Sequence, residues 1–209
     1  MDITADGEWL LVVDHSSFFY IYNYDHEENG FLLFQTLRIN SNTNRAGAIT
    51  DDHQWLILTK NNGKVYVYAF NGTKFTHKET INYDFPNYIT SVSITNDHMY
   101  LAFMIASSNA YVYQYNGTNF TLYQNITMNY DAVGWRYIQI TNDHQHLVVA
   151  GGNANFMRVY QHDGFKFIQL ANTLYSSYVG CASFSKDKKY LAVTTNNLLS
   201  TRIYKNATM

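Results

Sequence analysis

Ile94-Thr-Asn-Asp-His-Met-Tyr-Leu101 is one of five copies of a single pattern in this chain. An apolar strand residue is followed by Thr or Ser, an Asp-containing turn, and an aromatic or other bulky residue before Leu. The other copies read Ile3-Thr-Ala-Asp-Gly-Glu-Trp-Leu10, Ile49-Thr-Asp-Asp-His-Gln-Trp-Leu56, Ile140-Thr-Asn-Asp-His-Gln-His-Leu147 and Phe184-Ser-Lys-Asp-Lys-Lys-Tyr-Leu191. The turn aspartates Asp6, Asp52, Asp97, Asp143 and Asp187 therefore stand 46, 45, 46 and 44 residues apart. A second marker keeps step with the first: Tyr22, Tyr68, Tyr113, Tyr160 and Tyr204 follow their aspartates by 16 or 17 residues. Two markers locked to one period over the whole chain define an internal repeat.

Working outward from the quoted copy, each period holds four strand signals. In the third period these are Ile89–Ile94, Tyr100–Ile105, Ala110–Tyr115 and Phe120–Ile126. The second of them is apolar at every position, as a strand covered on both faces requires. The linkers are built from turn residues, including Asn116-Gly117, a strong hairpin signal. A four-stranded antiparallel unit of this length cannot bury both its faces alone, so the units must stack radially. The fold class predicted is all-β, a β-propeller of about five four-stranded blades. The blades fall at about 1–40, 45–83, 88–130, 135–174 and 178–209 within one domain, 1–209, and the first and last are incomplete. Three arrangements answer the open ends: a segment of a longer propeller, which is favoured, a strand supplied by a neighbouring subunit, or a five-blade ring that closes imperfectly.

Composition agrees. Tyr (19) and Phe (13) suit pleated, half-buried surfaces, and one Pro with many Asn suits short turns. A net charge of −2 with no Lys/Arg cluster excludes a nucleic-acid footprint. No apolar run approaches the roughly 20 residues that span a bilayer. The single cysteine, Cys181, forms no internal disulfide and reads as a core strand residue.

The blades resemble two propeller families. The Trp-Asp repeats share the strand, Asp-turn and Leu layout, but their Gly-His pair is missing and Tyr pairs such as Tyr113-Gln-Tyr115 replace Trp-Asp. The pattern is more similar to epitempin-type (EAR) repeats, in Val112-Tyr-Gln-Tyr-Asn-Gly-Thr-Asn-Phe120 with Gln124, and in Val67-Tyr-Ala-Phe-Asn-Gly-Thr-Lys-Phe75. The fourth copy, Val159-Tyr-Gln-His-Asp-Gly-Phe-Lys-Phe167, is looser, and the first carries an insert, Asp25–Gly30, before Phe31 and Gln35. The resemblance implies a secreted or cell-surface interaction module.

The residues offer no motif for catalysis. Gly-x-Ser-x-Gly, a phosphate-cradling glycine loop and His-Glu-x-x-His are all missing, and Thr4–Trp9 only grazes the Asp-box of propeller glycosidases. The expectation is therefore no enzyme, no catalytic residue, no cofactor and no metal. The repeated aspartates read as turn caps. His53, His98 and His144 form an arc, but neighbouring blades hold equivalent atoms about 10 Å apart, too far for one zinc, so they read as solvated turn residues.

Five Asn-x-Thr sequons, at Asn71, Asn116, Asn119, Asn125 and Asn206, mark sites for N-glycans. With Phe120, Leu122 and Ile126 pointing inward, Asn119 and Asn125 point outward. The connections from outer to inner strands carry Tyr83, Phe85, Tyr88, Tyr130, Trp135, Arg136, Tyr175 and Tyr178 to one face. Such residues dominate interface hot spots, so that face is the expected surface for a protein partner or self-association. The expected function is a non-catalytic interaction or structural module of an extracellular or cell-surface glycoprotein; the alternative is a cytoplasmic propeller scaffold.

Overall fold

The computed structural model describes residues 1–14, 18–39, 44–82, 88–106, 109–127, 135–151, 156–174, 179–185, 190–195 and 200–205. They form five antiparallel sheets that follow one another along the chain as the blades of a β-propeller. The first sheet holds β1 (Asp2–Ile3), β2 (Trp9–Val13), β3 (Phe18–Asp25) and β4 (Gly30–Arg38). The second holds β5 (Asn44–Ile49), β6 (Trp55–Lys60), β7 (Lys64–Phe70) and β8 (Phe75–Asn82). The third holds β9 (Ile89–Ile94), β10 (Tyr100–Ile105), β11 (Asn109–Tyr115) and β12 (Phe120–Thr127). In the fourth are β13 (Trp135–Ile140), β14 (His146–Gly151), β15 (Phe156–His162) and β16 (Phe167–Leu174). The fifth has three strands among the described residues, β17 (Val179–Phe184), β18 (Tyr190–Thr195) and β19 (Ser200–Lys205).

The core lies between blades. Leu11, Phe19 and Ile21 of the first sheet meet Leu56, Leu58 and Phe75 of the second. Ile57, Val65 and Val67 on the opposite face of the second sheet meet Ile94, Leu101 and Phe103 of the third. The same arrangement recurs at the next two seams. Each fully buried Leu, Ile or Phe contributes about 1.5–3 kcal/mol, so the seams supply most of the driving force for folding. All six positions of β6 and of β10 are buried, as strands sandwiched between neighbouring blades must be.

One inward residue is misplaced by the simple alternation. Leu122 is 55% exposed, whereas Phe120 and Ile126 are buried. The reason is a register shift: Val112 pairs with Gln124 but Tyr113 pairs with Leu122, so Tyr123 is an extra residue. A bulge of this kind reverses the faces on either side of it. Equivalent shifts occur at Ile21/Tyr22, Val67/Tyr68 and Val159/Tyr160, always at the repeated apolar-Tyr pair. The bulged side chain turns back onto the aromatic that opens the second strand of its blade. Phe34 lies edge-on to Trp9 at 4.7 Å, Lys78 sits over Trp55 at 5.3 Å, and Tyr123 is edge-on to Tyr100 at 5.4 Å.

Candidate functional site: the central channel and its two faces

The inner strands enclose a channel of about 850 Å³, and its end is framed by the Asp-containing turns. In each of the first four turns a buried threonine hydroxyl donates to the aspartate: Thr4 to Asp6, Thr50 to Asp52, Thr95 to Asp97 and Thr141 to Asp143, at 2.6–2.7 Å. The same oxygen accepts the N–H two residues on, from Glu8, Gln54, Met99 and Gln145. The residue after the aspartate takes a left-handed backbone, with φ of 77° at Gly7 and 61–65° at His53, His98 and His144. The aspartates are turn caps, in line with the sequence.

The histidines are not the solvated side chains expected. Their side chains are only 19–27% exposed, and each reaches back to the aspartate of the preceding blade: His53 to Asp6 at 2.8 Å, His98 to Asp52 at 3.0 Å, His144 to Asp97 at 2.8 Å. These are close polar contacts whose geometry falls short of a hydrogen bond. The rings also pack on aromatics, His98 stacking on Trp55 at 4.8 Å and 18°. Periodicity hid the arrangement because each partner is a whole blade away. For Asp6 the hydroxyl of Thr4, the N–H of Glu8 and His53 hold the carboxyl below its usual range. At Asp52 and Asp97 burial pushes the carboxyl up, but the threonine, the backbone N–H and the histidine together outweigh it.

A second set of links runs beside the first. The side-chain oxygens of Asp51, Asn96 and Asn142 accept the N–H of Ala5, Asp51 and Asn96 in the preceding blade, at 2.7, 3.1 and 2.9 Å. On the outer strands, Gln35 grips both the N–H and the carbonyl of Phe75, and Gln124 does the same with Phe167. A buried lysine unseen in the sequence, Lys60, donates to the carbonyl of Ile39 across the first seam. Burial lowers its pKa, and the charge of Asp14 works the other way.

Within the channel, side chains of one inner strand accept N–H groups of the next: Asp2 from Ile49 at 3.0 Å, Ser91 from Ile138 and Ser93 from Ile140 at 3.2 Å, Gln139 from Phe184 at 3.0 Å. Burial pushes the Asp2 carboxyl up against the opposing effect of the Ile49 and Ile3 N–H groups. The charged side chains among the described lining residues are Asp2 and Asp51, both acidic. Among the described residues no cluster of three metal-ligating side chains is placed to hold an ion.

Of the aromatic face, Tyr83, Phe85, Tyr130, Tyr175 and Tyr178 lie outside the described residues. The backbones of Trp135 and Arg136 open β13, and Tyr88, 38% exposed, precedes β9 on the same face. The sequon residues Asn71, Asn116, Asn119 and Asn125 are exposed, on the turns and outermost strands; Asn206 lies outside the described residues. Asn71 and Asn116 also cap their turns, accepting N–H groups two and three residues on.

No known protein family matches this sequence, and no curated protein does either, so the EAR and Trp-Asp likenesses remain resemblances of pattern. Solved structures do share the fold. A protein from Lactobacillus plantarum superposes with a TM-score of 0.77 at 17% identity, over 98% of this chain and 65% of its own. A structure from Bacteroides fragilis described as a "putative 6-phosphogluconolactonase" gives 0.80 at 12% identity, over 97% of this chain and 65% of its own. The chain thus spans just under two thirds of the length of each. The second likeness overturns the expectation of a chain that is no enzyme: this scaffold carries a structure assigned an activity. Propeller sites are assembled from separate blades, so the lack of a local catalytic motif is no argument against chemistry. What these comparisons establish for the chain is a five-blade β-propeller fold.

Proposed function

We propose that this propeller is an interaction module of an extracellular or cell-surface glycoprotein, its blades forming a stiff frame that presents the face around Tyr88 and the start of β13 at Trp135 and Arg136 to a protein partner. The observation that carries the reading is the placement of the sequons. Asn71, Asn116, Asn119 and Asn125 are exposed together with the threonines that complete them, Thr73, Thr118, Thr121 and Thr127. They lie on the outermost strands of their sheets and on hairpin turns. A packed sheet frame also suits binding, because binding residues sit on loops that a rigid scaffold positions.

The experiment is the intact mass of the protein from its native source before and after enzymatic removal of N-glycans. The reading expects a mass above 24.2 kDa that falls in sugar-sized steps. Asparagines that are all unmodified would reject the glycoprotein and favour a cytoplasmic scaffold.

A further inference from the structure

We propose that the channel wall between the second and third blades binds a small neutral polyhydroxylated molecule, a sugar or sugar alcohol, through the backbone N–H groups of Val92 and Ile94. This inference rests on the channel alone and does not require the glycoprotein reading.

Each inner strand is the edge of its sheet, so every second N–H points away from its partner strand. Those groups need acceptors, since an unmet backbone donor costs about as much as a lost hydrogen bond. At one level of the channel the N–H groups of Ile49, Ile140 and Phe184 are met by Asp2, Ser93 and Gln139 of the preceding blade. Two residues away, Ile138 is met by Ser91. The third blade is the exception. The positions that face β9 from β5 are Ala46 and Ala48, which pack at that seam and have no oxygen to offer. Ile94 stands opposite Leu101 just as Ile140 stands opposite Leu147, so its N–H points the same way. Among the described residues neither Val92 nor Ile94 has a side-chain acceptor there, while Ala46, Ala48, Val92 and Ile94 all line the channel.

The missing hydroxyls therefore leave two notches in the channel wall, each ending in an N–H donor. Two residues along a strand separate the donors by about 6.5–7 Å. The oxygens of a single carboxylate or phosphate lie too close together to fill both. Hydroxyls on opposite sides of a sugar ring, or well separated along a hexitol, match the spacing. The lining charges select further. Asp2 and Asp51 disfavour an anion, the Met1 α-ammonium beside Asp2 is the one opposing charge, and no Lys, Arg or His is among the described lining residues. Thr90, Ser91, Ser93 and Gln139 provide further polar groups for a neutral, hydroxyl-rich ligand.

The test uses ¹⁵N-labelled full chain, with amide resonances followed during titration with D-glucose, D-mannitol and, as the anionic probe, D-gluconate. A second sample carries Ala46→Ser with Ala48→Ser, which copies into this seam the serines of the next one. The expected result is a saturable shift of the Val92 and Ile94 amides with D-glucose or D-mannitol. In the serine variant those shifts are lost and the melting temperature rises, because the new hydroxyls occupy the donors. If the double variant does not fold, Ala48→Ser alone is read at Ile94. The proposal is overturned if neither neutral probe moves the two amides, if the responding amides lie elsewhere and ignore the serines, or if D-gluconate binds as tightly as the neutral probes.

Discussion

Glu79 occupies on β8 the place that Gln35 and Gln124 hold on β4 and β12. A glutamine there satisfies two backbone groups of the next blade, donating to a phenylalanine carbonyl and accepting its N–H. Glu79 accepts the N–H of Phe120 with both oxygens, at 3.3 and 3.0 Å, but its side chain has no N–H to donate to the carbonyl beside it. Replacing it by the amide of the neighbouring seams adds one hydrogen bond at a part-buried site. We expect Glu79→Gln to stabilise the chain by about 1 kcal/mol in urea unfolding monitored by fluorescence. An unchanged or lowered midpoint would show that the carbonyl of Phe120 is already satisfied. The glutamines were visible in the sequence as part of a repeat, but not their purpose. Likewise Asp-His adjacency was plain, whereas the pairing of His98 with Asp52 joins residues from different repeats. Contacts between blades depend on how sheets stack, and a one-dimensional period does not encode that.

At the scale of the element, the strands were legible because each carries its own signal. The apolar runs Trp55–Leu58 of β6 and Tyr100–Ile105 of β10 announce burial on both faces, and the Asn-Gly pairs announce hairpins. The bulge did not show, because an extra residue in the fourth strand leaves its apolar content unchanged and only reverses the faces. That is why Leu122 is outside and Tyr123 reaches back to Tyr100. The channel notch was also hidden, since Ala46 and Ala48 look like ordinary small strand residues until β9 stands beside them. Between them Gly47 answers to the opposite side. A Cβ there would meet Leu11 Cδ2 at 2.7 Å, Val13 Cγ2 at 3.1 Å and the carbonyl of Ile57 at 3.3 Å. Leu11 is fully buried and the carbonyl belongs to the backbone, so little can yield. Gly47→Ala should therefore cost about 1–3 kcal/mol by overpacking the first seam, read as a lowered thermal midpoint. A neutral result would mean that β2 moves away from β5 more easily than its packing implies.

At the scale of the whole molecule, the repeat makes different blades comparable position by position. Ile21, Val67, Val112 and Val159 pair with the second strand of their blades and are buried at successive seams. Ile203 is the same position in the fifth sheet, pairing with Ala192, yet it is 69% exposed. At the other end Ile3 is 52% exposed, although its counterparts Ile49, Ile94 and Ile140 are buried. Identical chemistry at identical register thus stands in two environments, and stability should register the difference. Val112→Ala removes two methyl groups from a filled seam and is expected to cost about 2 kcal/mol. Ile203→Ala removes more carbon, but from an uncovered face, and should change stability by no more than about 0.5 kcal/mol. Both are read from chemical unfolding at low and at high protein concentration. Should Ile203→Ala cost as much as Val112→Ala only at the high concentration, the face is covered by a second copy in solution. A comparable cost at every concentration would place part of the same chain over it.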